Sequence, residues 1–505
     1  MPSLLRPPDL PGPGQVPRPP AAFEDLNLFQ LLQDLYGADE LGVAPLWYQP
    51  ATEREIHYRQ AVVRDLQSPP VRETADRFVR GMRGVWSLLA TARRRHHPVQ
   101  QQLRLVSAIL ELTQVVEDLA RGLDDGAPTS EGFAGVAAAV RAYLVSPGYL
   151  RMRDEARTVR AQLARVRFRV EIHGPAVGVG DPQDEPDYAA EVRRTFERFA
   201  AVDARVVIER PEARADWDRV EASVVERVAT LHPDPFAALD TFTARHDPPV
   251  DPLLSNLERE LSFYLPVLDL FERLAEHGLT GTLPVVSPDP TLSLPALFDV
   301  VLAAKQARDG VPTVTNDFSL DGQERIAVVT GPNQGGKTTL ARAVGHALVM
   351  ACLGLPVAAG TTAVVPLIES VRTHFPQAEV PQDESGGLRD EMRRARAMLA
   401  GANARTALIV NEIFSDISLP DAIELSGRLL RSVSDARALC VWVTFLDEIV
   451  ALQPVVSYVA QVDPRDPAIR TFRVRRQPPD GRAHAMALAR KHALTSEAIT
   501  ARIRS

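Results

Sequence analysis

Long apolar stripes on charged helical segments dominate the first half of the chain. One stripe recurs at intervals of three to seven residues and comprises Leu103, Val106, Leu110, Val116, Leu119 and Leu123. A second, far away in sequence, comprises Leu257, Leu261, Leu265, Leu268 and Phe271. Such spacing is that of amphipathic α-helices. We therefore predict a mostly helical region in which the two stripes form either an antiparallel helical arm or an ordinary bundle core.

A different pattern interrupts the helical region at residues 166–179. The segment VRFRVEIHGPAVGV alternates apolar and polar residues and breaks at Gly174 and Pro175. Alternation with a turn signal is typical of two paired strands. The sequence therefore predicts a short β-hairpin inserted among helices.

The pattern of apolar residues changes after the proline-containing segment GTLPVVSPDP at residues 281–290. Short β-branched runs, RIAVVT (325–330), ALIV (407–410) and LCVWVT (439–444), are separated by helical stretches. This alternation is typical of a parallel α/β sheet. We predict a disordered Pro-rich tail over residues 1–22, a helical domain over 23–284 and an α/β domain over 285–505.

A glycine-rich loop follows the first of these apolar runs. The segment GPNQGGKT (331–338) fits G-x-x-x-x-G-K-[ST] between a predicted strand and a predicted helix. Glycines allow the backbone N–H groups to face phosphate oxygens, Lys337 would reach the β- and γ-phosphates, and the Thr338 hydroxyl would bind magnesium. The predicted nucleotide-binding residues are Gly331, Pro332, Asn333, Gly335, Gly336, Lys337, Thr338 and Thr339.

Charge, cysteine content and the distribution of apolar residues argue against several classes of protein. The 505 residues carry a formal net charge of -8, which argues against a generally basic nucleic-acid binder. The two cysteines lie in apolar runs without metal-ligand spacing, which predicts neither a zinc site nor a disulfide framework. The first twenty residues lack the apolar core of a signal peptide, and the apolar stretch 343–360 is interrupted by His346, Gly354 and Pro356. We expect a cytoplasmic protein without a membrane span.

The glycine loop and its surroundings resemble one family. The segment VVTGPNQGGKTTLARAVG (328–345) resembles the ATPase segment of the MutS mismatch-repair family, whose loop reads T-G-P-N-x-G-G-K-[ST]-T. GLPVAA (354–359) and residues 483–503 resemble later family segments, and YRQAVVRDL (58–66) resembles the helical core and lever region. The resemblance implies an ABC-type P-loop ATPase domain at the C-terminus, preceded by a mostly α-helical core and lever domain with a small β insertion. Because no Phe-x-Glu motif precedes the helical core, we expect the mismatch-recognition domains to be absent.

The catalytic motifs depart from the family pattern. In NEIFSDISLPDA (411–422), Asn411 stands where the family has the magnesium-facing acid, and the following Gly-Arg-Gly turn is lost. Glu412 matches the residue that orients the attacking water, so the resemblance implies a catalytic role for it. Phe445 replaces the histidine that senses the γ-phosphate. Asp447 and Glu448 follow the adjacent predicted strand and are candidates to compensate for Asn411.

The partner-facing signature of the family is also altered. When DESGGLRDEM (383–392) is aligned on Glu391 and Met392, Gly386 takes the place of the signature serine, and Ser385 precedes it. The family pattern, in which each nucleotide lies between two ATPase domains, implies a homodimer.

These observations lead to a specific expectation with open alternatives. ATP and Mg²⁺ are the implied cofactors, with Thr338 and Asn411 at the metal. We expect weakened magnesium binding and slow or absent hydrolysis, which leaves open whether the protein is a weak ATPase. The implied function is a dimeric clamp on duplex or branched DNA, with repair proteins as further partners. A non-hydrolysing nucleotide-binding scaffold and an RNA- or ribosome-associated ATPase remain alternatives.

Overall fold

The structure, a computed structural model, describes residues 1–10, 18–94, 97–173, 176–181, 215–246, 249–376, 384–415, 417–463, 465–466 and 469–479. The chain divides into two compact units. Unit 1 contains residues 1–68, 128–136 and 259–505, and unit 2 contains residues 69–127 and 137–258.

The first half of the chain is helical apart from one hairpin. Its elements are α1 (Ala22–Asp25), α2 (Leu28–Tyr36), α3 (Glu53–Leu66), α4 (Pro69–Arg94), α5 (Pro98–Gly126), α6 (Glu131–Leu144), α7 (Pro147–Leu163), β1 (Arg169–His173), β2 (Ala176–Gly180), α8 (Ala215–Leu231), α9 (Pro233–Arg245) and α10 (Pro252–Ala275). Local chemistry sets several of these boundaries. At the start of α3, for example, Thr52 and Glu55 form a reciprocal capping box.

The second half alternates strands and helices. Its elements are β3 (Val285–Ser287), β4 (Leu292–Leu297), α11 (Val300–Arg308), β5 (Asn316–Leu320), β6 (Ile326–Thr330), α12 (Lys337–Cys352), β7 (Val364–Pro366), β8 (Ser370–His374), α13 (Glu384–Leu399), β9 (Thr406–Asn411), α14 (Leu419–Asp435), β10 (Leu439–Val443), β11 (Val456–Val462) and β12 (Arg470–Arg476).

In unit 2, α4 and α5 pack closely as an antiparallel pair. A β-carbon at Gly81 would lie 2.4 Å from Val115 Cγ2, and one at Gly122 would lie 2.4 Å from Thr74 Oγ1. Two small residues therefore allow the helix backbones to approach. The stripe predicted on α5 is buried at Val106, Val116, Leu119 and Leu123, but Ile109 and Leu112 are buried in place of the half-exposed Leu103 and Leu110. The predicted hairpin is confirmed as the antiparallel pair β1 and β2.

Unit 1 contains the predicted parallel sheet. Six strands lie in the order β12-β11-β6-β10-β9-β8, and all but the edge strand β12 run parallel. Every residue of β6, β9 and β10 is buried, which explains their continuous apolar runs. A second sheet of order β3-β7-β4-β5 lies in the same unit.

The N-terminal residues differ from the prediction of a disordered tail over 1–22. Leu4 is fully buried, and its backbone N–H donates to Glu260 Oε2 at 2.6 Å. The hydroxyls of Tyr58 and Tyr264 donate to the carbonyls of Ser3 and Leu4 at 2.7 and 2.8 Å. Composition suggested a tail because prolines disrupt periodicity, yet residues 1–10 satisfy buried polar groups of α3 and α10.

The division of the chain also differs from the predicted boundary near residue 285. Residues 22–66 pack on α12, where His346 Nε2 lies 2.6 Å from the carbonyl oxygen of Leu26. A β-carbon at Gly345 would lie 2.6 Å from Leu26 Cδ2, and Ala51 N–H donates to the carbonyl of Cys352 at 3.0 Å. These contacts assign the first helices to the same unit as the six-stranded sheet.

No single helix among the described residues is long and apolar enough to span a membrane. One pair joined by a 57° bend, Glu131–Leu144 with Pro147–Leu163, meets the criterion together by length and composition.

The packing of residues 1–10 predicts that Leu4→Ala destabilises unit 1 by about 2–4 kcal/mol, because it removes a fully buried side chain and leaves a cavity. Denaturant unfolding combined with hydrogen exchange of α3 and α10 would measure this. Val285→Ala is the control, since Val285 is 61% exposed in the same unit and its truncation should cost much less. Equal effects of the two substitutions would contradict the packing described for the N-terminus.

Candidate functional site

The candidate site lies where three buried parallel strands end. Val443 of β10 pairs with Val329 of β6 on one side and with Asn411 of β9 on the other. Because parallel strands align their carboxyl ends, the residues that follow β6, β9 and β10 meet at one edge of the sheet. These are the glycine loop (residues 331–338), the turn directly after Asn411, and the segment that begins at Thr444.

The glycine loop needs glycine at two positions for steric reasons. Gly331 has φ 114°, and a β-carbon there would lie 3.0 Å from backbone atoms of Ala460. Gly336 has φ 93°, and a β-carbon there would lie 3.4 Å from the carbonyl oxygen of Phe472. These conformations are strained for other residues, so the sequence can enter α12 in this tight turn only with glycine. Helix α12 then begins at Lys337.

Lys337 is folded back onto the loop that precedes it. Its Nζ donates to the carbonyls of Gly331 at 2.8 Å and Pro332 at 3.2 Å. The same Nζ lies 4.3 Å from the centroid of the Phe445 ring, a distance suited to a cation–π interaction. Lys337 is only 4% exposed, whereas Phe445 is 44% exposed and can move without disrupting a core.

Burial and neighbouring charges shift the pKa values of Lys337 and Glu412 at the site. Burial lowers the pKa of Lys337 to about 8, with a contribution from Arg470, while Glu412 and Asp447 oppose the change. Burial raises the pKa of Glu412, and the charge of Lys337 opposes that shift. Each charged form thus partly compensates the desolvation of the other.

The hydroxyl of Thr338 and the amide of Asn411 are in direct contact. Thr338 Oγ1 donates to Asn411 Oδ1 at 3.0 Å, which joins the first turn of α12 to the last residue of β9. Two side-chain oxygens from adjacent elements therefore converge beside Lys337. Both are neutral oxygen donors of the kind that hard cations accept.

The turn after β9 keeps an unusual backbone without glycine. Glu412 has φ 53° and Phe414 has φ 62°, both in the left-handed region. Phe414 occupies the position of the first glycine of the family's Gly-Arg-Gly turn. Its side chain is buried in the core between the sheet and the flanking helices, and its N–H donates to Glu391 Oε1 of α13 at 3.1 Å. Core packing and this hydrogen bond compensate for the strain.

Ser385 and Gly386 form part of the first turn of α13. Residues 377–383 lie outside the described residues, and the surroundings of Ser385 and Gly386 are not described either. The structure therefore places only the backbone of the predicted partner-facing signature. The segment 483–503 also lies outside the described residues.

Sequence reasoning missed the part of the site that β12 contributes. Arg470 Nε donates to the carbonyl of Asn333 at 3.0 Å, and the carbonyl of Phe472 accepts from Asn316 Nδ2 at 3.2 Å. The alternating segment RTFRVRR (470–476) indicates a strand, but no local signal indicates that it lies beside the glycine loop.

A cavity of about 240 Å³ adjoins the glycine loop. Gly336 and Thr339 form its border with the loop, and Leu302, Val314 and Phe472 contribute apolar surface. Thr313 Oγ1 donates to Gln306 Oε1 at 2.7 Å, and both residues also line the cavity. The site therefore combines a polar edge at Lys337 with a mostly apolar recess.

Comparison with known proteins gives concordant matches. A family model for MutS domain V matches residues 327–471. Endonuclease MutS2 of Thermus thermophilus is 27% identical over 284 residues, covering 54% of this chain and 38% of that protein. DNA mismatch repair protein MutS of Granulibacter bethesdensis is 24% identical over 356 residues, covering 66% and 35% respectively. Endonuclease MutS2 of an Anaeromyxobacter species is 32% identical over 163 residues, covering 31% and 18%.

The chain thus spans less than two fifths of the length of each of these relatives. The domain V match begins in β6 and ends in β12, so it contains the glycine loop, Asn411 and Phe445. Because the family model and the curated relatives agree, the chain is identified as a MutS-related protein.

Proposed function

We propose that the chain binds ATP with Mg²⁺ at the glycine loop and uses nucleotide binding to control a dimeric, DNA-binding protein of DNA repair or recombination. The observation that carries the proposal is the convergence of Lys337, the glycine loop and the Thr338–Asn411 oxygen pair at one sheet edge. A glycine-rich turn that leads into a helix N-terminus provides backbone donors for phosphate oxygens.

The contacts of Lys337 suit a side chain that exchanges its present hydrogen-bond acceptors for phosphate oxygens when a nucleotide binds. Its amine is desolvated and bound to two backbone carbonyls, which carry only partial negative charge. Phosphate oxygens are stronger acceptors for an ammonium group. We expect bound ATP to draw Nζ away from the carbonyls of Gly331 and Pro332.

The residues at the loop fit a magnesium ion that accompanies the phosphates. Thr338 Oγ1 and Asn411 Oδ1 would hold it, directly or through water, since oxygen donors of this kind suit Mg²⁺. The ion would neutralise phosphate charge. Because Asn411 is neutral, we expect this pair to hold magnesium less tightly than a hydroxyl–carboxylate pair would.

The cavity beside the loop suits the base of the nucleotide. It borders Gly336 of the loop and Thr339 of α12 and has a mostly apolar wall, as pockets for planar ligands commonly have. Thr313 and Gln306, which line the cavity, supply polar atoms. With its phosphates at the loop and its base in the cavity, one ATP molecule would be buried.

Hydrolysis at this site would be slow. The Glu412 carboxylate would orient a water, and its position beside Lys337 supports that role. Phe445, however, presents a ring without a hydrogen-bond donor and lies against Lys337. A γ-phosphate would therefore lack the stabilising donor that an imidazole supplies.

The names of the relatives support a role on DNA. One is a DNA mismatch repair protein and two are MutS2 endonucleases, although this chain covers only part of each. We propose that ATP, held between two copies of the chain, closes a homodimer on duplex or branched DNA and recruits repair proteins. A nucleotide-holding scaffold without turnover is the second candidate, and the observations that favour it are Asn411, Phe445 and the net charge of -8.

The first prediction of this proposal concerns Lys337. Lys337→Ala should lower ATP affinity at least about tenfold, because the side chain that contacts the phosphates is removed. Equilibrium binding of radiolabelled ATP measures this, and circular dichroism verifies that the variant is folded. Lys305→Ala, in the half-exposed last turn of α11, should leave ATP affinity unchanged. Similar losses in both variants would contradict a specific phosphate contact.

A second prediction concerns the missing charge at β9. Asn411→Asp should tighten Mg²⁺-dependent ATP binding about tenfold, because a carboxylate would lie beside the cation. Titration of Mg²⁺ at fixed ATP measures the effect. Asn403→Asp adds the same charge to the exposed segment before β9, at the other end of the strand, and serves as the control. If both variants behave alike, a cation site at Asn411 is ruled out.

A third prediction tests the DNA role and the slow chemistry together. Duplex or branched DNA should bind with strong salt dependence, ATP should change its affinity, and Lys337→Ala should abolish the change. Single-turnover ATP cleavage should remain far below about 1 s⁻¹, the lower end of ordinary enzyme turnover. Salt-sensitive binding to structured RNA in preference to DNA would contradict the DNA assignment, and fast cleavage would contradict the account of Phe445.

A further inference from the structure

The proposed magnesium pair of Thr338 and Asn411 carries no charge, yet two acids follow the neighbouring strand β10. We propose that Asp447 supplies the negative charge that Asn411 lacks, as a positioning residue for the divalent cation of bound nucleotide. This inference rests on the proposed ATP site and names a further residue of that site.

Asp447 is placed by the same strand register that builds the site. Val443 pairs with Asn411, and Phe445, two residues after Val443, has its ring 4.3 Å from Lys337 Nζ. Asp447 follows two residues later and opens the 3₁₀ turn Asp447–Ala451. Two trans peptide units span at most about 7 Å, so the Cα atom of Asp447 lies within about 7 Å of the Cα atom of Phe445, and the charge of Asp447 acts on Lys337.

The backbone around Asp447 is held in place rather than free to drift. Leu446 N–H donates to Thr444 Oγ1 at 3.1 Å, and Thr444 N–H donates to the carbonyl of Val329 at 3.1 Å. Ile449 is fully buried in the core beside the sheet. The turn therefore presents Asp447 at a defined position next to the end of β10.

Asp447 and its neighbour Glu448 differ in burial and in their effect on the pKa of Lys337. Asp447 is half-buried and Glu448 is exposed. The carboxylates of Glu412 and Asp447 both favour the protonated form of Lys337, whereas Glu448 is not among the charges that shift its pKa within the described residues. Two adjacent acids of the same charge thus provide a test residue and a matched control.

The sign of the charge effect separates this proposal from a structural role. A carboxylate near the phosphates repels them when no cation is present, whereas in Mg²⁺ it attracts the cation that the phosphates bind. Removing the charge should therefore change the two affinities in opposite directions. Loss of a merely structural contact would weaken both.

The experiment measures binding of radiolabelled ATP to the full chain in EDTA and in Mg²⁺. Asp447→Asn should weaken binding in Mg²⁺ about fivefold, the size expected for one charge acting on a divalent cation through several ångströms of water. In EDTA the same variant should bind ATP more tightly than the wild-type chain does. Glu448→Gln should change neither affinity by more than about twofold.

A relocation variant strengthens the test. Asn411→Asp combined with Asp447→Asn moves the acid from β10 to β9 and should restore Mg²⁺-dependent binding to at least the wild-type level. If Asp447→Asn weakens binding equally in EDTA and Mg²⁺, or changes neither, the assignment is wrong. Absence of ATP binding to the wild-type chain would instead overturn the proposed function itself, and the assignment with it.

Discussion

The parallel pairing of β6, β9 and β10 is the constraint on which the candidate site depends. Each strand is short and wholly buried, so none can shift register without exposing apolar side chains or losing ladder hydrogen bonds. Their common direction brings the glycine loop, Asn411 and Phe445 to one edge, although more than a hundred residues separate the first from the last. The chemistry of the site follows from where these strands stop.

Lys337 shows how the site remains stable before any ligand is present. A desolvated ammonium without partners would be costly, and backbone carbonyls, an aromatic face and two nearby carboxylates each reduce that cost. None of these partners forms the strong paired contact that phosphate would. These contacts therefore make burial of the lysine tolerable in the folded protein. A phosphate group would still bind its ammonium more strongly than they do.

The glycine loop and its flanking strand and helix were predictable because motif and apolar pattern agree locally. The hairpin of β1 and β2 was predictable for the same reason. The strand order β12-β11-β6-β10-β9-β8 was not, because neighbours in the sheet are distant in sequence. Residues 1–10 lacked any periodic signal, and their packing depends on Glu260 and Tyr264 far along the chain. The contact of Phe445 with Lys337 also required coordinates, since sequence showed only that a histidine was missing.

The discontinuity of unit 1 has a consequence for synthesis on the ribosome. Residues 69–258 contain all of unit 2 and emerge before residues 259–505 have been made. Residues 1–68 must therefore wait for α10 and the six-stranded sheet before their apolar side chains, Leu4 and Leu26 among them, find their partners. Since domains generally fold as units during translation, we expect the N-terminal segment to expose these apolar side chains until α10 and the strands of the sheet have been synthesised.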